Sequence, residues 1–154
     1  MGTSSIGKIF TEEQRKELAD LNLKPGAILK FDCLIAKKEK RFVFAGIKYD
    51  GLSIGLVHIN SEINERIFHS PKLKDEHYKI LCADYTSLEW DSFVNCSQLI
   101  IRPKQDIYNI LLKDPGCHLE HLSQEHFDEI KIKLCKSRVL SPSQKKEYGL
   151  FHNC

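Results

Sequence analysis

The chain has 154 residues, of which 42% are hydrophobic and 29% are charged, and its formal net charge is +2. This composition is close to that of an average soluble domain and excludes a disordered or membrane-embedded class. The length suits one domain, predicted over residues 1–154, and is short for two. No apolar stretch has the length of a signal peptide or a membrane span, so we expect a cytoplasmic protein with no membrane partner.

A helix is predicted near the N-terminus, over residues 11–21, "TEEQRKELADL". Thr11 can cap its first turn and Gln14 completes a capping box, while Pro25 and Gly26 mark the break that follows. We assign residues 1–23 to a helical extension and expect the first strand to begin after Gly26.

The middle of the chain has the pattern of antiparallel β-structure, because apolar and β-branched residues alternate with polar ones in several short segments. The predicted strands cover residues 27–36, 41–49, 52–59, 78–83 and 97–103. The turns between the first three are too short for crossover helices, so the predicted fold class is α+β with a small antiparallel barrel over 24–104. Its expected buried residues are Val43, Ile54, Val57, Ile80 and Leu99.

Two polar segments stand out against this pattern. The first carries four cations, Lys37, Lys38, Lys40 and Arg41. Such a segment is typical of a solvated hairpin loop, although it can also meet phosphates. The second is the polar end of a strand at Asn60 and Ser61, where no glycine or proline marks a turn. It opens a connection over 60–77, whose length is typical of functional or mobile loops.

The last third of the chain, residues 105–154, is predicted to form C-terminal helices. Apolar residues at helical spacing predict one helix over 123–136, and a shorter helix is predicted from Ser141 to Gly149. Several potential metal ligands precede or begin the first helix: Cys117, His118, His121, Glu125 and His126. Their spacing matches no zinc signature, so a polar helix entrance is the main interpretation and a zinc site the alternative.

Two further groups of residues have ordinary interpretations. Asp84, Glu89 and Asp91 could form an acid–base pair, but a turn-rich crossover over 84–99 is the simpler explanation. The six cysteines include no CxxC pair and are expected to be free thiols in a reducing compartment.

The order of these pieces resembles that of the MazF/PemK family of endoribonuclease toxins over residues 24–135. The resemblance rests on the turn "KPGAIL", the basic segment before an apolar strand "KRFVFAGI", the polar strand end "VHINSE" and the later "DSFVNCSQL". It implies an SH3-like barrel with flanking helices. The chain departs from the family pattern at Phe42 and Asn60, where the family has proline and threonine.

The resemblance also implies a catalytic site. Arg41 would stabilise the transition state of cleavage of single-stranded RNA, and Ser61 or Asn60 would hold the phosphate. Three lysines would draw in the strand: Lys37, Lys38 and Lys40. The 2′-hydroxyl attacks without a metal or another cofactor. The implied partners are single-stranded RNA, an antitoxin or other protein, and a second copy of the chain in a homodimer.

One geometric condition applies to this site, and two alternatives stay open. Adjacent strand residues point to opposite faces, so Asn60 and Ser61 could not share a site if the strand continued through both. The first alternative is a non-catalytic SH3-like module that binds protein or nucleic acid through the 60–77 loop. The second, a metal enzyme, would use Cys117, His118, His121 and His126.

Overall fold

A computed structural model of the chain describes residues 10–33 and 38–151. Its first element is helix α1, Glu12–Asn22, which confirms the predicted helix. The capping box is complete, because Thr11 Oγ1 accepts from the Gln14 amide at 3.1 Å and Gln14 Oε1 accepts from the Thr11 amide at 2.9 Å. Gly26 then turns the chain into the first strand with a φ of 95°, a conformation that favours glycine.

Within the described residues, seven strands form one antiparallel sheet, with the order β4-β5-β3-β2-β1-β7 and with β6 paired to β3. Their bounds are β1 Ala27–Cys33, β2 Lys38–Ile47, β3 Ser53–Asn60, β4 His77–Ile80, β5 Ser92–Asn95, β6 Ile100–Pro103 and β7 His118–His121. Strand β3 pairs with β2 on one side and with both β5 and β6 on the other. The fold is therefore α+β with a curled antiparallel sheet, as the hairpin pattern predicted.

Several boundaries differ from those predicted. Strand β2 begins at Lys38, so the described lysines of the basic segment lie in a strand rather than in a loop. Strand β5 lies inside the segment interpreted as a turn-rich crossover, and the 60–77 connection contains a short helix, α2, Pro71–Lys74. Such four-residue elements owe their form to neighbouring strands and caps more than to their own sequence.

The C-terminal part supplies three further helices and one strand of the sheet. The helices are α3 Lys104–Lys113, α4 Gln124–Lys136 and α5 Pro142–Glu147, and a short 3₁₀-helix spans Pro115–Cys117. The predicted helix at 123–136 is thus confirmed as α4. Strand β7 lies within the range expected to be helical and pairs with β1, so the sheet extends beyond residues 24–104.

Alternation along the central strands builds a hydrophobic core on each face of the sheet. The first core contains Ile28, Val43 and Val57, and it is covered by Phe127, Ile130 and Leu134 of α4. The second contains Leu29, Phe42 and Leu56, and it is covered by α1 and α3. The predicted buried residues are confirmed, since Val43, Ile54, Val57, Ile80 and Leu99 are all at most 7% exposed.

The cysteines only partly follow the prediction of free thiols. Cys33, Cys82, Cys96 and Cys117 are free, and of these only Cys82 is exposed. Cys135 is disulfide-bonded, so the prediction is wrong at this position. Sequence spacing does not reveal which cysteines the fold brings to bonding distance. Across residues 10–33 and 38–151, none of the helices combines the length and the apolar character needed to cross a bilayer.

Candidate functional site

A groove with a volume of about 740 Å³ opens at the end of the sheet where β2 begins and β3 ends. Of the residues proposed for a catalytic site, its lining includes Lys38, Lys40, Arg41, Asn60 and Ser61. Lys37 lies outside the described residues. The groove therefore brings together every proposed site residue that the structure describes.

Antiparallel pairing of β2 and β3 explains why these residues meet. Arg41 lies opposite Ile59 and Phe42 lies opposite His58, so the basic start of β2 runs beside the polar end of β3. On the other side of β2, Arg41 lies opposite Lys30 of β1. The site is thus held by two central strands whose neighbouring residues form both cores, which is a rigid support for a binding site.

Arg41 combines partial burial with an unused hydrogen-bond donor. Its side chain is half-buried in the groove lining, and its Nε is fully buried with no hydrogen-bond partner among the described residues. A buried donor that stays unpaired costs free energy, about 1–3 kcal/mol, which an anionic ligand would recover. Arginine also offers two parallel donors to a phosphate, so this position is suited to bind one.

Asn60 and Ser61 both line the groove because the strand ends between them. Strand β3 ends at Asn60, which is half-buried and lies opposite Phe93 of β5, whereas Ser61 is exposed and lies in a bend. Alternation across a strand therefore no longer separates the two side chains. The groove lining thus includes an amide and a hydroxyl as well as the guanidinium of Arg41.

Charges of both signs line the groove. Its three described cations are Lys38, Lys40 and Arg41, and its three carboxylates are Glu39, Glu62 and Glu89. Glu39 forms a salt bridge with a residue that is not part of the groove lining, because Lys30 Nζ lies 3.1 Å from Glu39 Oε1. The cations are adjacent on β2, whereas Glu62 and Glu89 lie on separate connections. The positive charge that could attract an anion is therefore concentrated at the start of β2.

Exposed apolar side chains form another part of the lining. Trp90 is 63% exposed and Ile67 is 61% exposed, and both lie in the groove with Phe68. Trp90 is the single tryptophan of the chain. An exposed indole beside cations can stack on a nucleobase while the cations meet the backbone. Sequence reasoning placed Trp90 in a crossover, because its position near β2 depends on the tertiary fold.

His58 is a further lining residue that sequence reasoning missed. Its ring packs on Phe42 with centroids 4.9 Å apart, and its Nδ1 is fully buried without a hydrogen-bond partner in the part of the chain that the structure describes. Burial, and secondly the charge of Lys40, lowers the pKa of His58. The sequence signal was one histidine within the apolar run "LVHI", which by itself does not separate a core residue from a functional one.

The potential metal ligands at 117–126 take part in separate interactions with different partners. His118 Nε2 and His121 Nδ1 lie 3.2 Å apart, and Cys117 is buried. His126 Nδ1 lies 2.6 Å from the hydroxyl of Tyr85, which also accepts from the Ser123 amide. Among the described residues, no three histidine, cysteine, aspartate or glutamate side chains are grouped so that they could hold a metal ion.

Comparison with known proteins adds no relative to this picture. No family model matches the chain, and no curated protein matches it either. The resemblance to MazF/PemK toxins therefore stays a prediction, and the chemistry of the groove has to be inferred from its own residues.

Proposed function

We propose that the protein is a metal-independent endoribonuclease of the MazF/PemK kind, that its curled sheet is an SH3-like barrel, and that the groove binds and cleaves single-stranded RNA. The observation that carries this proposal is the meeting of Arg41, Asn60 and Ser61 in one groove beside an exposed tryptophan. Cation, hydroxyl and aromatic ring are the three groups that contact phosphate and base in unpaired nucleic acid.

The scissile phosphate would bind at the junction of β2 and β3. Arg41 would donate to two phosphate oxygens and stabilise the charge that grows on them during attack of the 2′-hydroxyl. Ser61 and Asn60 would donate to the same oxygens, while Lys38 and Lys40 attract the backbone on either side. No step in this scheme uses a metal ion or another cofactor.

Unpaired RNA fits this groove better than a duplex. Trp90 can stack only on a base whose face is free, and bases inside a helix are already stacked on each other. The same exposed residues, Trp90 and Ile67, would also give a protein partner an apolar contact. An antitoxin or another protein that restrains the enzyme would therefore cover this groove, and a homodimer in the cytoplasm belongs to the same proposal.

A second candidate function is a non-catalytic module on the same sheet. The carboxylates of Glu62 and Glu89 favour it, because they lie in the groove and form no ion pair with another described residue, so they would repel a phosphate. A peptide that carries both basic and aromatic residues would match this lining. In that case the groove, with the connection over 60–77, would bind a protein segment and leave RNA uncut.

Incubation with a pool of single-stranded RNA in excess EDTA tests the proposal. We expect fragments with 2′,3′-cyclic phosphate and 5′-hydroxyl ends, and we expect oligoribonucleotides to change the fluorescence of Trp90. A duplex of the same sequence is the control and should be neither cut nor bound. Intact RNA without a fluorescence change would contradict the proposal. Binding without cleavage would favour the module, and activity that returns only with zinc would favour a metal enzyme.

A further inference from the structure

We propose that His58 accepts the proton of the RNA 2′-hydroxyl in the cleavage step, as the general base of the groove. This inference rests on the proposed function and deepens it, because Arg41, Asn60 and Ser61 can hold a phosphate but none of them is a base near neutral pH. His58 is the histidine in the groove lining.

The position of His58 on β3 places it within the proposed site. His58 and Asn60 are two residues apart on β3 and therefore lie on the same face of the sheet, where His58 is opposite Phe42, whereas Arg41 is opposite Ile59 on the other face. The ring lines the groove together with Lys40 and Arg41. A ribose next to a phosphate held by Asn60 would therefore lie along the part of the groove that includes His58.

The surroundings of the His58 ring favour its neutral form, which is the form that can accept a proton. Nδ1 is buried without a hydrogen-bond partner among the described residues, so Nε2 is the nitrogen that can meet a ligand. Nε2 can accept a proton when the neutral ring carries its own proton on Nδ1, and protonation then places the charge of an imidazolium in a partly buried position, at a cost in free energy. Burial and Lys40 lower the pKa of His58 accordingly, so the ring is neutral at pH 7.

Other charged or titratable groups line the same groove as this histidine. They are Cys33 on β1, Lys38, Glu39, Lys40 and Arg41 on β2, Glu62 after β3 and Glu89 before β5. Bound RNA would add negative charge, which favours the imidazolium formed during the reaction. The lowered pKa in the free enzyme and a higher one beside the substrate would together suit a group that first accepts a proton and then releases it.

The chemical step balances without a further reactant. His58 Nε2 takes the proton from the 2′-hydroxyl as O2′ forms a bond to phosphorus, and the bond from phosphorus to O5′ breaks. O5′ leaves with the bonding electron pair and takes a proton from water. The imidazolium then returns its proton to solvent. The products are a 2′,3′-cyclic phosphate and a 5′-hydroxyl, with no net uptake of protons.

Two substitutions test this role, His58→Asn and His58→Phe, with His69→Asn as the matched control at an exposed histidine outside the groove lining. The phenylalanine variant keeps a ring against Phe42 and so protects the fold if the asparagine variant is unstable. We expect both His58 variants to lose about a hundredfold or more of the cleavage rate, on the scale of a lost general base. Binding of oligoribonucleotide, followed by Trp90 fluorescence, should stay within about threefold.

The dependence of kcat/KM on pH gives a second readout that a structural role would not move. In the wild type it should rise with pH to a plateau, with a midpoint below 6.5 because the pKa of His58 is lowered. The midpoint should move up in Lys40→Met, since the charge of Lys40 is one of the causes of that lowering. In the His58 variants, the residual kcat/KM should no longer show this rise with pH.

The outcomes separate this inference from the function on which it rests. Wild-type protein that leaves every RNA intact would remove the proposed function and the role of His58 with it. Wild-type cleavage that persists within threefold in both His58 variants, with an unchanged pH profile, would overturn the role of His58 alone. A lower melting temperature in both variants with an unchanged rate per folded molecule would assign His58 to packing.

Discussion

The buried Nε donor of Arg41 in the groove has no hydrogen-bond partner among the described residues, and this feature makes a specific prediction for its substitution. Arg41→Lys keeps a positive charge but removes the planar pair of donors that can contact two phosphate oxygens. We expect cleavage to fall by about a hundredfold or more, as when one transition-state donor is removed. The melting temperature should change little, since Nε has no described hydrogen bond to lose. Cleavage rate and melting temperature should be measured on the same samples.

Arg138→Lys provides a matched control, because Arg138 is exposed and lies outside the groove lining. It should leave both the rate and the melting temperature unchanged. Full activity of Arg41→Lys would remove the assigned role of the guanidinium. A large loss of melting temperature in Arg41→Lys would instead mean that Arg41 anchors the fold.

The sequence predicted part of this site, and physical reasons explain the rest. Arg41, Asn60 and Ser61 were predicted from the resemblance to the MazF/PemK family, because they stand at the basic start of one strand and the polar end of the next. Strict alternation along a strand would have placed Asn60 and Ser61 on opposite faces of the sheet. Because β3 ends at Asn60, this restriction does not apply to Ser61. His58 and Trp90 were missed, since a histidine in a strand and a tryptophan in a crossover acquire a role only through neighbours that are distant in sequence.

At the scale of the elements, a buried lysine joins helix α5 to the end of helix α4. Lys145 is 8% exposed, and its Nζ donates to the carbonyl oxygens of Cys135 at 2.8 Å and Ser137 at 2.6 Å. These carbonyls belong to the last turn of α4, where the helix itself offers no further donors. Lys145→Met should therefore lower the free energy of unfolding by about 2–4 kcal/mol, measured by urea denaturation.

Lys146→Met is the control for this prediction, because Lys146 is the next residue on α5 and is exposed. It should change the free energy of unfolding by about 0.5 kcal/mol or less. If Lys145→Met were as stable as the wild type, water or another donor would have to satisfy both carbonyls. The connection of the two helices would then not depend on this side chain.

Local sequence signals explain which elements could be predicted. Thr11 and Ser123 are the N-cap residues of helices α1 and α4, and both side chains make the capping bonds that the sequence indicated. Helix α3 lies in the range 105–154 that was expected to be helical but was given no bounds of its own, and its N-cap residue is Pro103, which makes no side-chain hydrogen bond. Strand β7 was missed because all four of its residues are half-buried, so it shows no alternation of exposed and buried positions.

At the scale of the whole molecule, the groove lies where the two cores meet at one end of the sheet. Ile59 and Leu88 of its lining belong to the first core, whereas Cys33 belongs to the second. Packing on both sides thus fixes the strands that carry Arg41 and His58. Loss of either core would displace these side chains, so site geometry and global stability are coupled.

Histidines distributed over the molecule make its stability depend on pH. Burial is the largest cause that lowers the pKa of His58, His77, His118 and His121, and the pKa of His118 falls to about 4. In the unfolded chain these groups titrate near 6.5. Between these values the unfolded state binds more protons than the folded state, so acidification favours unfolding. The stabilisation is fully present above pH 6.5 and is lost as the pH falls towards about 4.

We therefore expect the urea midpoint to be constant from pH 8 to about 7 and to decline steadily from about pH 6.5 to 4.5. His118→Gln should flatten this decline, because glutamine binds no proton in either state and keeps a polar group beside His121. His69→Gln, at an exposed position, should leave the slope as it is in the wild type. A midpoint that rises on acidification, or the same slope in His118→Gln, would mean that the buried histidines do not govern acid unfolding. Carboxylate titration would then have to account for it, starting with Asp91, whose pKa is lowered mainly by its bond from the Cys82 amide.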